Sequence, residues 1–350
     1  MPDISDFSYE LPPNLIADKP TLPRDHCRLL TLNRQNGNIS HQHFYDLANL
    51  LGPNDVLVLN QSKVFPARIF GQKETGGRIE ILLLHQQTST SWLAIASPLP
   101  KINSQIFFDR QLIATVIKID PKIGEIEFNF NQSSPDFFTT LNLIGRTPIP
   151  PYIHPSDPET KLRQDYQTVY AKAVGSAAAP TAGLHFTKNL LRKLQNRGVA
   201  TEFLTLHVGL GTFQKLRPQN LTEKKLHTEF FEIDPATSSR LTLAKSQGKR
   251  IIAVGTTTLR ALESWAIKPK ANSTDIFIFP PYKFNFVDSL ITNFHLPQSS
   301  LLMLVSAFSS YPNSPFRFTK FPNSSIGNAY YTAISQNYRF FSFGDAMWIF

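Results

Sequence analysis

Between residues 61 and 150 the sequence offers strands and no long helix. Arg78–Leu84 (RIEILLL), Leu112–Ile119 (LIATVIKI) and Gly124–Phe130 (GEIEFNF) alternate or are β-branched, with Gly, Pro, Asn and Ser between them at short intervals. No long segment with a 3.6-residue period intervenes. Closely spaced short strands bury their apolar faces against one another, which predicts a small all-β barrel or sandwich. Pro148-Ile149-Pro150-Pro151 then makes a stiff, extended exit.

The flanks read differently. Pro12-Pro13 and Pro20 break the early chain into irregular pieces. Asp55–Asn60 (DVLVLN) is a nearly continuous apolar run, as expected of a strand covered on both faces. After the connector, helices and strands alternate. Thr187–Arg197 puts Leu190, Leu191 and Leu194 on one helical face and stops at Gly198. Ala200–Val208 reads as a strand, Ser238–Gln247 as a helix before Gly248, Arg250–Val254 as a strand, and Thr257–Trp265 as a helix. This rhythm predicts an α/β main domain built from both chain ends, residues 1–60 and 151–350, with the small all-β barrel domain 61–150 inserted. Lys268–Thr274 and Ser309–Ser325, polar and rich in Pro and Ser, are expected as exposed loops.

Composition narrows the function classes. The 350 residues carry 35 Lys and Arg against 26 Asp and Glu, a formal charge of +9. Such a balance favours a polyanionic partner such as nucleic acid, although general basic drift produces it too. One cysteine, Cys27, excludes a disulfide framework and any multi-cysteine metal cluster, and it fits a reducing cytosol. No run of about 18 apolar residues occurs. The acidic start Met1–Asp6 lacks the pattern of a secretory signal, so a cytoplasmic, globular protein is expected.

Several segments hold more Gly, His, Thr and Arg than packing needs. In Ala178–Phe186 (AAPTAGLHF), Pro180 and Gly183 force a sharp turn and His185 ends it before a helix N-terminus. A tight turn with a buried histidine explains it equally. Leu206–Phe213 (LHVGLGTF) sets His207, Gly209 and Gly211 at a strand end, yet no third glycine opens a helix, so a dinucleotide fold is rejected. On a strand His227 and Glu229 share one face, fit for proton transfer, for holding a ribose, or simply for solvent. His185, His207, His227 and His295 follow no metal-ligand spacing, and no metal is expected. Gly255–Arg260 (GTTTLR) follows an apolar strand and opens a helix. Its free N–H groups, hydroxyls and Arg260 suit a carboxylate, phosphate or sugar, or Thr256 or Thr257 merely caps the helix. Thr292–Pro297 (TNFHLP) brings Asn293 and His295 to another strand end, and Tyr338–Met347 (YRFFSFGDAM) brings Arg339 and Asp345. In open α/β sheets ligands lie at strand carboxyl ends, so these motifs are expected to converge on one cleft.

Taken in order, the segments resemble the S-adenosylmethionine:tRNA ribosyltransferase-isomerase family of queuosine biosynthesis. The resemblance runs from Asp6-Phe7, Leu11-Pro12 and Cys27-Arg28-Leu29-Leu30 through Pro66-Ala67-Arg68, PPYI, Asp165–Tyr170 (DYQTVY), APTAGLHF, LHVGLGTF, AVGTT, TNFHLP and LVSAF to YRFFSFGDAM. It implies that the ribosyl part of S-adenosylmethionine is moved and isomerised onto 7-aminomethyl-7-deazaguanine at the tRNA wobble position. Epoxyqueuosine remains in the tRNA, and adenine and methionine leave. It implies the same two-part fold, no cofactor beyond S-adenosylmethionine as co-substrate, tRNA as partner, no membrane, and a monomer. The chemistry needs a base for the proton beside the sulfonium, a donor for departing adenine, a neutral substrate amine and a grip on the methionine carboxylate. Each proton transfer contributes about 10² to 10⁴ in rate, and juxtaposing the two substrates up to roughly 7–11 kcal/mol.

On this resemblance His185 and His207 are candidates for proton transfer, with His227 and Glu229 nearby. Thr256, Thr257 and Arg260 are candidates for the methionine carboxylate or ribose, with Asn293 and His295 also substrate-binding. Asp165, Tyr166 and Gln167 would read the deazaguanine edge, and Arg68 and Arg339 would meet tRNA phosphate. The chain departs from the family pattern in places. Asn60-Gln61-Ser62-Lys63 stands where N-x-T-R is common, so Lys63 lacks the bidentate fork. Pro280-Pro281 replaces a P-G turn, Lys224 a common histidine, and Ser309-Ser310 an Ala-Gly. A tRNA-binding protein of the same fold without catalysis, and a methyltransferase using the same cofactor, are the competing readings.

Overall fold

The computed structural model describes residues 3–121, 124–150, 152–153, 157–209, 216 and 218–350. Pro151, and Leu210–Lys215 with Gly211 at the end of LHVGLGTF, lie outside the described residues. Strands β1 (Arg28–Leu32), β2 (Ile39–His43) and β3 (Asp55–Asn60) come first, with the short helix α1 (Leu47–Leu50) before β3. After β4 (Ser62–Val64), six strands close into an antiparallel barrel: β5 (Arg68–Lys73), β6 (Arg78–Gln86), β7 (Ser91–Ser97), β8 (Gln105–Phe107), β9 (Ile113–Ile119) and β10 (Ile126–Phe130). Ile69, Ile81, Leu83, Ala94, Val116 and Phe128 alternate inward and are fully buried. Helix α2 (Asp136–Ile144) packs Phe137 against Trp92 and Phe130, covering an end of the barrel core.

The remaining elements are α3 (Glu159–Asp165), β11 (Ala173–Ser176), α4 (Lys188–Asn196), β12 (Ala200–His207), α5 (Pro218–Glu223), β13 (Lys225–Glu232), α6 (Pro235–Ser246), β14 (Arg250–Val254), α7 (Thr256–Ile267), β15 (Ser273–Ile276), β16 (Ser289–Asn293), α8 (Ser300–Phe308), α9 (Ser325–Ser335) and β17 (Ala346–Ile349). With β1 to β3 they build a mixed sheet in the order β15-β13-β12-β3-β14-β16-β17-β1-β2. The central four strands β12, β3, β14 and β16 are parallel. The main α/β unit thus draws on both ends of the chain and the barrel is inserted between them, as the sequence pattern predicts.

The run DVLVLN shows why a parallel strand reads as unbroken apolar sequence. Val56 and Val58 enter the core under α6, α7, α8 and α9, whereas Leu57 and Leu59 enter the core under α1 and α4. Each such side chain contributes roughly 1.5–3 kcal/mol on burial. Helix α4 begins where Thr187 Oγ1 accepts the Leu190 N–H at 3.0 Å and stops before Gly198, whose φ is +81°.

The chain enters and leaves the barrel through one backbone bridge. Arg68 and Arg146 exchange both backbone hydrogen bonds, at 3.1 and 2.7 Å, where the chain enters and leaves. Beside them β4 pairs with β11. The Gln167 amide donates to the Val64 carbonyl and accepts from the Val64 N–H, both at 3.0 Å.

Two expectations of exposed loops are corrected. Ser273 and Thr274, the latter at the end of Lys268–Thr274, belong to β15, an added edge strand on β13. Within Ser309–Ser325, Ser309, Ser310 and Ser314 are buried. Ser309 Oγ donates to Val305 O at 2.9 Å and Ser314 Oγ to Ser309 O at 2.8 Å, while Asn313 Nδ2 donates to Tyr282 O at 2.7 Å. Polar composition there feeds internal hydrogen bonds rather than solvent. Among the described residues no helix is long and apolar enough to cross a membrane.

Candidate active site

Strand β3 is flanked by β12 on one side and by β14 on the other, so the chain switches direction across it. At the carboxyl edge of these strands lies a cleft with about 730 Å³ of empty space counted out to its mouth. That is the place expected of a small-ligand site in an open parallel sheet. Ala178–Ala182 form one wall, Thr292–Leu296 another, and Gly255–Thr257 the floor, with Val208, Tyr152, Phe341 and Ser342 closing it. APTAGLHF, GTTTLR and TNFHLP therefore meet in one place, although they lie far apart in the chain.

The floor is the uncapped start of a helix. Gly255 occupies the N-cap of α7 with φ +91°, a conformation L side chains rarely adopt. No side chain caps the helix. Neither Thr256 nor Thr257 does so, which corrects one of the two sequence readings. The first-turn N–H groups are left without helical partners and gather positive potential. Thr256 and Thr257 bring two hydroxyls beside them.

The wall is fixed by a chain of hydrogen bonds. Asn293 Nδ2 donates to His185 Nε2 at 3.0 Å and to the Phe341 carbonyl at 3.2 Å, and Asn293 Oδ1 accepts from Thr181 Oγ1 at 3.0 Å. A carbonyl only accepts, so the amide orientation is set. His185 Nε2 then carries no proton, and its Nδ1–H points at Cys27 Sγ, 3.2 Å away. Burial pushes the His185 pKa down from 6.5 to about 3, with the Arg339 and Arg24 cations adding to the shift. His185 is thus a neutral, fully engaged side chain one layer behind the cleft, not among its lining residues. His295 does line the cleft. Its Nε2 meets Thr292 Oγ1 at 2.9 Å, its backbone N–H donates to Tyr330 Oη at 2.9 Å, and burial lowers its pKa to about 3.

Other expected residues lie elsewhere. His207 projects to a separate groove with His85, Thr205 and Phe230. Its pKa is lowered by burial and by His85, and its Nδ1 is buried with no hydrogen-bond partner among the described residues. His227 faces Glu125, whose pKa, raised by burial, it pulls down. Glu229 is not beside it on an open face: Glu229 Oε2 accepts from Arg260 Nη1 at 2.5 Å, and both residues are buried. Arg260 also donates through Nε to Ile276 O at 3.2 Å, so it braces α7 against β13 and β15 rather than lining the cleft. Asp165 sits 3.8 Å from Arg24 and 3.7 Å from Lys161, and Tyr166 is wholly buried. Gln167 is spent on Val64, whereas the Tyr166 hydroxyl has no hydrogen-bond partner among the described residues. Arg339 donates to Lys19 O at 3.1 Å and to Thr21 Oγ1, pinning the early chain. Arg68 lies on the outer barrel face, 3.0 Å from Glu80.

Sequence reasoning missed Tyr152, Thr181, Thr292 and Ser342. Tyr152 Oη and Ser342 Oγ are 2.6 Å apart across the mouth. Each of the four lies inside a sequence motif, so the pattern is visible in the chain, but which of its side chains faces the cleft is not. Among the described residues no group of three His, Cys, Asp or Glu is placed to hold a metal.

A family model described as "Queuosine biosynthesis protein" matches residues 4–349. Proteins named S-adenosylmethionine:tRNA ribosyltransferase-isomerase are similar over 99% of both chains: those of Moorella thermoacetica and Carboxydothermus hydrogenoformans at 44% identity, and that of Halothermothrix orenii at 45%. The crystal structure of S-adenosylmethionine tRNA ribosyltransferase from Thermotoga maritima is 35% identical with a TM-score of 0.55, covering 99% of this chain and all of that one.

Proposed function

Because the chain belongs to the S-adenosylmethionine:tRNA ribosyltransferase-isomerase family of queuosine biosynthesis, we propose that it transfers and isomerises the ribosyl group of S-adenosylmethionine onto 7-aminomethyl-7-deazaguanine at the tRNA wobble position. The observation that carries this reading is the meeting of Gly255–Thr257, Ala178–Ala182 and Thr292–His295 in one cleft at a strand switch point.

The methionine carboxylate suits the uncapped N–H groups of α7 and the hydroxyls of Thr256 and Thr257. The sulfonium suits the aromatic rings of Tyr152, Phe294 and Phe341 in the same wall. Asn293 offers the remaining lone pair of Oδ1, and His295 stays in the neutral form, fit for hydrogen bonding. Overall, the substrate amine nitrogen loses a proton and bonds to one sugar carbon, the carbocycle closes through the carbon that the base deprotonates, and the ring oxygen closes the epoxide. The proton beside the sulfonium passes to a base, adenine takes up a proton as its glycosidic bond breaks, and methionine leaves with the sulfur–C5′ electron pair. No further redox partner is needed, because the sulfonium is the leaving group that drives the sequence.

Incubation with S-adenosylmethionine and tRNA carrying the precursor base tests the proposal. Adenine and methionine released in equal amounts, one of each per modified tRNA, support it. S-adenosylhomocysteine in their place would make the protein a methyltransferase, and binding without turnover would make it a tRNA-binding module.

A further inference from the structure

The barrel carries a surface that the cleft chemistry does not use. Along β5, residues Arg68, Phe70 and Gln72 point outward, and the strand registers set Phe70 opposite Glu80, and Gln72 opposite Arg78 and Phe107. Phe70, Gln72, Arg78, Glu80, Phe107 and Arg146 line one open groove on this face. Phe70 is 49% exposed and Phe107 41%, high values for aromatic rings on a sheet that has a full core behind it. The arrangement is enforced from inside. A Cβ on Gly71 would meet the Phe108 ring at 2.7 Å and the Phe107 carbonyl at 2.8 Å, so the glycine admits Phe108 to the barrel core while Phe107 remains outside.

Charge singles out the occupant. Among the described residues the ion pairs on this side are Arg68–Glu80 and Arg163–Glu159, both at 3.0 Å. That leaves Arg78, Arg110 and Arg146 without a carboxylate partner, against Asp109 as the one uncommitted acid in the two adjoining hollows. The Arg146 guanidinium stands 5.6 Å over the Phe70 ring, so a cation and a flat apolar face are presented together. From Arg146 the chain runs through Ile149 to Tyr152, which lines the cleft. Ile149, in the same segment as Arg146, packs in one cluster with Tyr152.

Unpartnered guanidinium groups beside exposed aromatic rings fit a polyanion whose flat groups can stack, which is single-stranded nucleic acid. We propose that this face of the barrel, with Phe70 and Phe107 as stacking platforms and Arg78 and Arg146 as phosphate contacts, docks the unpaired loop of the substrate tRNA while the wobble base enters the cleft. The inference rests on the function proposed above and adds the surface and the mode of contact.

Full-length protein is titrated into labelled tRNA bearing the precursor base, by fluorescence anisotropy between about 50 and 200 mM salt. Phe70→Ala and Phe107→Ala should each weaken binding about tenfold without changing the salt slope. Arg78→Gln with Arg146→Gln should weaken binding and reduce the log–log salt slope by about 1.4, near 0.7 for each phosphate left unneutralised. All four positions are at the surface, so thermal unfolding and S-adenosylmethionine affinity should match the parent protein, which separates loss of docking from loss of fold. Unchanged tRNA affinity and slope in these variants, with normal turnover in the parent, would overturn the docking surface and leave the proposed reaction standing. Absence of adenine release by the parent would instead overturn the reaction, and absence of tRNA binding by it would overturn both. A concentration-dependent dimer abolished by Phe107→Ala would assign the face to a second copy of the chain and overturn the RNA assignment.

Discussion

Replacement of His185 by glutamine separates a positioning role from proton transfer. The imidazole is buried and neutral, its pKa pushed from 6.5 to about 3. Below pH 6.5 the unfolded chain takes up a proton there and the native chain does not. The stabilisation is therefore full above about pH 6.5 and is lost as pH falls toward 3, by roughly 1.4 kcal/mol per pH unit. His295 behaves alike and doubles the effect. Glutamine at 185 can place its amide oxygen about where Nε2 lies and so keep the Asn293 bond. Urea unfolding at pH 7.5 and 5.5 should show the parent losing about 2.7 kcal/mol through these two groups and His185→Gln about 1.4, with carboxylate effects common to both and cancelling in the difference. Turnover at saturating substrate should fall less than about tenfold. His185→Ala, which also strips Asn293 of its acceptor and leaves a cavity, should cost about 2–4 kcal/mol and raise the KM for S-adenosylmethionine. Identical pH dependence in parent and His185→Gln would refute the buried neutral imidazole. A loss beyond about 10² in single-turnover rate with stability intact would make His185 the proton-transfer group after all.

Gly255→Ala has room for its methyl group, whose nearest neighbour would be Thr257 Oγ1 at 3.7 Å, so its cost is backbone strain at φ +91°, about 1–3 kcal/mol in urea unfolding. The same substitution should raise the KM for S-adenosylmethionine by disturbing the helix floor. Arg260→Met strands the buried Glu229 carboxylate and should destabilise by about 3–5 kcal/mol, and adding Glu229→Gln should recover part of that loss in thermal melts. Thr181→Val removes the hydroxyl that fixes Asn293 Oδ1 and should raise the same KM several-fold with kcat nearly kept, as steady-state kinetics would show.

Much of the fold was legible because it follows local rules. DVLVLN had to be covered on both faces, Gly198 had to end a helix, and the short runs between residues 61 and 150 had only one another to pack against. The convergence of strand-end motifs followed from the βα rhythm alone. What the sequence could not display was which polar side chains are consumed internally. Gln167 looks like a reader of base edges until its amide meets Val64, 103 positions away. Arg339 looks like a phosphate contact until the early chain folds under it, 320 positions away at Lys19. Glu229 pairs with His227 by strand spacing, yet a buried guanidinium from α7 claims it. These partners are chosen by tertiary packing, and residue type and spacing carry no trace of them. The serines after α8 mislead for a related reason: a hydroxyl that bonds to a helix carbonyl is as content inside as out.

Since Arg68 and Arg146 face each other across a single rung, the chain enters and leaves the barrel by one doorway. Opposed residues in such a rung have Cα atoms only about 5.5 Å apart. A tight two-residue turn could close the gap if everything between them were cut away, and the nine-strand sheet would keep every one of its own neighbours. The barrel is in this sense a separable insert, and its outer surface can be exchanged for another without reworking the sheet that carries the cleft.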